Sequence, residues 1–312
     1  MTEQEERLVG EALRAYPLEG AEVRFIRHNE NITCRVTVGR ESYALRIHAP
    51  VEGVFLALLE QAPSEELMRG EIRLLLHLAE HAPFPVQRPV KNRVGEYITL
   101  LAGDIPAQLL QWLPGEEMKR EGLGQYAEEL GTLAAQIDHA AQGFTGERLR
   151  YDQDLVKRMQ AELEKAAGLG HLLDKHCALC IRVLDEVGRI MTELDGRPGS
   201  RCLIHADLGA GNLLKTPIGL APIDFSLSGY GHRAQECGMA AFNFQEPEQR
   251  EQVRRSYEAA GGVEIPRHHL DAFGAFSILL FLSAQHDKVW REDWFREAMA
   301  RWCETEFARV VE

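Results

Sequence analysis

The chain has 312 residues, 45% hydrophobic and 27% charged, the composition of a soluble globular protein with enough length for about two domains. Lys plus Arg is 35 against 48 Asp plus Glu, a net charge of −13, which excludes a uniformly basic nucleic-acid binder and favours cationic small molecules as partners. Six scattered cysteines do not make a secreted disulfide framework, so free thiols in a reducing cytoplasm are expected.

The acidic opening, residues 1–6, lacks the basic start and apolar stretch of a signal peptide. Residues 23–28, 32–38 and 42–48 are expected as three strands, with turns at 29–31 and 39–41. In the third strand Tyr43, Leu45 and Ile47 share one face, which puts Arg46 on the other with Ala44 and His48. Residues 51–60 are unusually apolar. Phe55, Leu56 and Leu59 are expected to pack on the sheet or on a second subunit, which leaves the oligomeric state open. A helix should begin at Ser64, standing before Glu65 and Glu66, present Leu67, Ile72, Leu75, Leu76 and Leu78 on one face, and end at Pro83 and Pro85. Residues 96–101 and 107–112 read as two further strands.

After Pro114-Gly115 the pattern turns helical. Leu123, Tyr126, Leu130, Leu133 and Ile137 form one stripe at spacings of three and four. Residues 151–169 and 173–194 are expected as helices, and helices resume from about residue 233 to the end. The longest uncharged apolar stretch, 272–284, is far shorter than a bilayer span, so it reads as a buried helix and no membrane partner is expected. Only 202–204 and 221–225 look like strands in this half. A small sheet lobe is therefore followed by a larger helical lobe.

The chemistry concentrates in Leu203-Ile204-His205-Ala206-Asp207-Leu208-Gly209-Ala210-Gly211-Asn212, followed by Pro222-Ile223-Asp224-Phe225. Asp207 and Asn212 share a glycine-flanked loop, and a short apolar strand delivers Asp224. Oxygen donors of this kind suit Mg²⁺, while a remaining carboxylate can accept a hydroxyl proton during phosphoryl transfer. An unpaired Asp224 inside an apolar run would be costly, which argues for a functional role. Other signals are weaker. No P-loop occurs, and Gly209-x-Gly211 lacks the βαβ context of a dinucleotide site. Cys177-x-x-Cys180 falls on an apolar helical stripe and reads as core rather than zinc. His268-His269 is expected to be a solvated turn, and Trp290, Trp294 and Phe295 are expected to pack.

His205-x-Asp207-x-x-x-x-Asn212 with Ile223-Asp224-Phe225 resembles the aminoglycoside phosphotransferase and choline kinase-like family, a small-molecule branch of the protein-kinase-like fold. The likeness extends to Glu30-Asn31-Ile32-Thr33 as the nucleotide-covering turn and to Tyr43-Ala44-Leu45-Arg46 as the third strand. It also takes in Glu71 on the following helix and Gln111-Trp112-Leu113-Pro114-Gly115 as the hinge. The resemblance implies an α+β, two-lobed protein-kinase-like fold with a small antiparallel-sheet N-lobe and a larger, mostly helical C-lobe. Residues 1–110 would be the nucleotide-binding lobe and 111–115 the hinge. Residues 116–312 would be the lobe with the catalytic loop and acceptor site. It implies Asp207 as catalytic base and His205 as its brace, with Asn212 and Asp224 holding Mg²⁺. Arg46, held by Glu71, would contact ATP phosphates; Asn31 would cover the nucleotide, and main-chain groups of Gln111, Trp112 and Leu113 would bind adenine. The chain departs from the pattern in four places: Arg46 replaces the usual lysine, the covering turn has no glycine, Glu236 stands where Asp is frequent, and Ser226 replaces a second acidic residue. The function expected is ATP- and Mg²⁺-dependent transfer of phosphate to a hydroxyl of a small molecule such as an aminoglycoside, an amino alcohol or a homoserine-like compound. The alternatives are a Ser/Thr protein kinase of the same family and a nucleotide-binding pseudokinase.

Overall fold

The computed structural model describes residues 1–50, 58–59 and 61–312. It opens with a helix that is not among the expected elements, α1 (Glu3–Arg14). Thr2 and Glu5 close a capping box there: Thr2 Oγ1 accepts from the Glu5 N–H at 3.3 Å, and Glu5 Oε2 accepts from the Thr2 N–H at 2.6 Å. Leu8, Val9 and Ala12 then bury one face of the helix in a core shared with Leu45 and Ile47.

Strands β1 (Glu22–His28), β2 (Asn31–Val38) and β3 (Glu41–His48) form an antiparallel meander, as the alternation requires. The turn between β1 and β2 keeps Asn29, Glu30 and Asn31 out of the left-handed region, so it closes without glycine. Phe55 and Leu56 lie outside the described residues; Leu59 is buried in the main core. Helix α2 (Ser64–His81) follows. Pro63, not Ser64, takes the N-cap position, and no side chain caps the helix. Ser64 is already helical, one residue too late to receive the first free N–H groups. Strands β4 (Pro89–Val90), β5 (Ile98–Leu101) and β6 (Ile105–Gln111) complete the sheet, in which β6 pairs antiparallel with β3, β4 and β5. Trp112 lies just past its end.

Next come β7 (Glu116–Glu117), α3 (Arg120–Leu123), a 3₁₀ turn (Gly124–Tyr126) and α4 (Ala127–Ala140), so the stripe expected as one helix is broken at Gly124. Its Leu123, Leu130, Leu133 and Ile137 are nonetheless buried together. After β8 (Leu149–Arg150), helices α5 (Gln153–Gly168) and α6 (Asp174–Asp195) lead to β9 (Arg201–Ile204). A short 3₁₀ turn, Ala210–Asn212, precedes the hairpin β10 (Leu213–Thr216) and β11 (Gly219–Pro222). The strand expected at 221–225 therefore ends at Pro222, and Asp224 stands in the loop beyond it. Strand β12 (Gly229–His232) pairs antiparallel with β9 and parallel with β8. The remainder is helical: α7 (Arg233–Ala241), α8 (Pro247–Gly261), α9 (Arg267–Val289), α10 (Asp293–Trp302), a π turn (Cys303–Phe307) and α11 (Ala308–Val311).

The main core runs through α4 to α9 and reaches α2. Cys177 and Cys180 are buried in it, and among the described residues no group of three or more His, Cys, Asp or Glu could hold a metal ion. His268 and His269 belong to the first turn of α9 rather than to a solvated turn. Pro266 starts that helix at its N-cap, His268 pairs with Glu186 at 2.6 Å, and His269 is buried. Among the described residues no helix is long and apolar enough to cross a membrane. The sheet-bearing part and the helical part meet where β3 faces the loop after β11.

Candidate active site

β9 runs directly into the loop that carries His205 and Asp207, and the loop is pinned from three sides. Glu236, in the first turn of α7, is fully buried and accepts both the His205 N–H (3.1 Å, Oε1) and the Ala206 N–H (3.0 Å, Oε2). Ala206 sits at φ +63°, a conformation that costs a residue with a Cβ about 1–3 kcal/mol and persists only under such restraint. His205 Nδ1 accepts from the Asp207 N–H at 3.3 Å, which leaves Nε2 to donate to the Ile223 carbonyl at 3.2 Å. Burial pulls the imidazole pKa down to about 4, so this neutral tautomer persists at neutral pH. His205 thus ties the Asp207 loop to the segment that carries Asp224.

Asn212 donates its side-chain NH₂ to Asp207 Oδ2 at 2.6 Å and to the Asp207 carbonyl at 3.1 Å. With the amide nitrogen so committed, its side-chain carbonyl oxygen is the atom left for a cation. Asp207 itself is exposed at the cleft. The surrounding walls, then the negative charge of Asp224, push its carboxyl up to about 7, against the hydrogen bond from Asn212.

Two guanidinium groups converge on Asp224, which lies at φ +64°. Its Oδ1 accepts from Arg46 Nη2 at 2.7 Å and from Ser226 Oγ at 2.8 Å, and its Oδ2 from Arg27 Nη2 at 2.9 Å. Burial opposes ionisation of Asp224, but Arg46, Ser226 and Arg27 outweigh it and hold the pKa down to about 2. Arg46 projects from β3, 6% exposed, and its Nη1 donates to Glu71 Oε1 at 2.6 Å. The second Glu71 oxygen accepts from Gln108 Nε2 at 3.0 Å, so α2 and β6 together orient the arginine. Burial and then the charge of Asp224 raise the Glu30 carboxyl to about 7.

A cavity of about 210 Å³ is lined by Asp207, Asn212, Asp224, Arg27, Glu30 and Asn31 among others. It adjoins a more apolar one of about 330 Å³, lined by Ile26, Ala44, Trp112, Leu113, Leu214 and Ile223 among others; both are bordered by Arg27, Thr33 and Asp224. One end is thus charged and the other largely apolar, with the Trp112 ring covered by the Arg35 guanidinium at 4.6 Å. Gln111 does not line either cavity. The Trp112 N–H is committed to the Ser42 carbonyl at 2.9 Å, so that group is not the one offered to a ligand. A larger hollow of about 700 Å³ around Asp138, Arg201 and Arg233 includes none of these residues.

Residues 22–271 match the family model described as the phosphotransferase enzyme family, APH. The chain belongs to that family. No curated protein sequence matches it. Among solved structures it is similar to a microcompartment-associated aminopropanol kinase, at 21% identity and TM-score 0.71 over 98% of this chain and 95% of that one. It is also similar to an amicoumacin kinase solved with AMP-PNP and Ca²⁺, at 16% identity and TM-score 0.76 over 99% and 94% of the two chains. A choline kinase from Cryptosporidium parvum matches at 14% identity and TM-score 0.64 over 98% and 94%. The fold of this phosphotransferase is accordingly the two-lobed, protein-kinase-like one.

Several residues of the candidate site carry no sequence signal of their own. Arg27 reaches Asp224 across 197 positions of chain. Gln108 orients Glu71 from β6, and Glu236 reads in sequence only as a departure from a frequent Asp. A basic residue at the end of β1, two positions before the turn, is the one hint that could have pointed to Arg27.

Proposed function

We propose that this phosphotransferase moves the γ-phosphoryl group of ATP to a hydroxyl of a small molecule, with an amino alcohol or aminoglycoside as the favoured class. The observation that carries the reading is the Asp207, Asn212, Asp224, Arg46 and Glu71 constellation, set beside a largely apolar cavity of about 330 Å³. In this reading the slot between Ala44, Trp112 and Leu214 takes the adenine. Arg46, held in orientation by Glu71 and Gln108, and Arg27 turn part of their hydrogen bonding from Asp224 to the phosphates. Arginine rather than lysine suits that sharing, because its fork can serve two acceptors at once.

Asp224 and the Asn212 side-chain oxygen are hard donors and would hold Mg²⁺, with phosphate and water supplying the rest of its shell. Bound there, the cation would neutralise charge developing on the phosphates. Asp207 accepts the proton of the attacking hydroxyl, and Asn212 keeps its carboxylate aimed into the cleft. Asp207, Asp224 and Glu30 make the cleft around the reacting hydroxyl acidic, which supports a cationic acceptor, as do the aminopropanol and choline kinases of similar fold. The exposed, hydrogen-bonded Asp207 favours catalysis over pure nucleotide sensing.

Release of ADP from Mg·ATP, followed by a coupled assay against amino alcohols, choline, homoserine and aminoglycosides, tests the reading. Acceptor-dependent ADP release with at least one cationic alcohol is expected. Release that no acceptor stimulates would overturn it.

A further inference from the structure

Gly70 precedes Glu71 on α2 and makes room for a contact that no side chain would permit. A Cβ at this position would lie 1.7 Å from the Glu147 carbonyl oxygen and 3.2 Å from Arg148 Cδ. The backbone at Glu147 therefore rests directly on the helix, and Arg148 continues into the interior, 2% exposed. Its hydrogen-bond partners are main-chain carbonyls alone. Nη1 donates to Leu67 at 2.7 Å, Nη2 to Phe225 at 2.7 Å and to Ser226 at 2.8 Å, and Nε to Ser228 at 3.0 Å. Tyr151, three residues on, donates its hydroxyl to the Leu227 carbonyl at 2.6 Å. The four consecutive carbonyls after Asp224 are thus all held by the 148–151 segment.

A buried guanidinium without a carboxylate is costly, and an apolar side chain would fill the same space more cheaply. What this one gains is position. Leu67 lies one helical turn before Glu71, and Phe225 directly follows Asp224. The two carboxylates that grip Arg46 from the front are therefore fastened to one another from behind. Only a planar fork with several donors can span a helix and a loop in this way.

We infer that Arg148 is a positioning residue, which fixes the Asp224 backbone at its distance from Glu71 and Arg46 and so sets the metal-holding geometry; this rests on the kinase reading above. Gly70 is the steric condition for it. Asp224 occupies a left-handed conformation that needs support, and groups behind a metal-binding carboxylate govern how well it binds.

The test is a calorimetric titration of ADP, with and without Mn²⁺, into the wild-type chain and Arg148→Lys, beside a thermal melt. Lysine keeps the charge but cannot reach four separated carbonyls. A folded Arg148→Lys should lose roughly 10- to 100-fold in the Mn²⁺-dependent part of ADP affinity, with the metal-free affinity nearly unchanged. Equal losses with and without Mn²⁺, or none, would overturn the inference while leaving the kinase reading intact. A wild-type chain that binds no ADP under either condition would remove that reading and the inference with it. If the variant does not fold, hydrogen exchange on the wild-type chain decides. Mn·ADP should protect 67–71 and 225–228 together; protection of 225–228 alone would contradict the clamp.

Discussion

The proposed base, Asp207, would act only when deprotonated, and its carboxyl is pushed up to about 7 by the cleft walls and Asp224. Turnover should therefore rise with pH through about 7, and Asp207→Asn should lower it roughly 10²- to 10⁴-fold while nucleotide affinity stays near normal. A kcat–pH profile beside a nucleotide titration checks both. Glu236 gives a separate, structural test. Burial raises its pKa to about 7, against opposing hydrogen bonds from Ala206 and His205. A carboxyl raised on folding stabilises below its unfolded value and loses that contribution as pH rises through its folded one. The stability of the wild type relative to Glu236→Gln should thus fall between about pH 4.5 and 7, as read from paired melts. His205, Asp207, Asn212 and Asp224 were legible in the sequence because close spacing puts their chemistry in one loop and the strand–loop after it. Arg27 and Arg148 were not, because each acts on main chain or side chain that only the fold brings near.

Among the elements, the three-strand meander and α2 followed from period-two alternation and an apolar stripe. α1 did not, although Thr2-x-x-Glu5 followed by Leu8, Val9 and Ala12 holds both its cap and its buried face. Its acidic first turn masks the helix as a polar leader. The hairpin of β10 and β11 has only four residues per strand, too few for alternation to stand out. Helix packing was hidden for a related reason: it depends on where a side chain is missing. A Cβ at Gly131 on α4 would lie 2.3 Å from both Ser256 Oγ and the Val253 carbonyl on α8. Gly131→Ala should push these helices apart and cost about 1–3 kcal/mol, despite the better helix propensity of alanine. Denaturant melts of the variant measure this; an unchanged midpoint would mean that α4 and α8 do not approach so closely.

At the scale of the whole molecule, the cleft of an acidic chain sets Arg27 and Arg46, from the sheet, against Asp207 and Asp224, from the loops of the helical part. The division suits a polyphosphate donor and a cationic acceptor. The acceptor KM should accordingly rise with ionic strength, as screening weakens attraction to an acidic surface. The most direct test of the central claim is ³¹P NMR of the chain with Mg·ATP and an amino alcohol, run beside Asp207→Asn. The account expects the γ-phosphoryl signal to be replaced by that of a phosphomonoester of the acceptor, and the variant to form it at least about 100-fold more slowly. Conversion of ATP to ADP and inorganic phosphate alone, or equal ester formation by the variant, would contradict it.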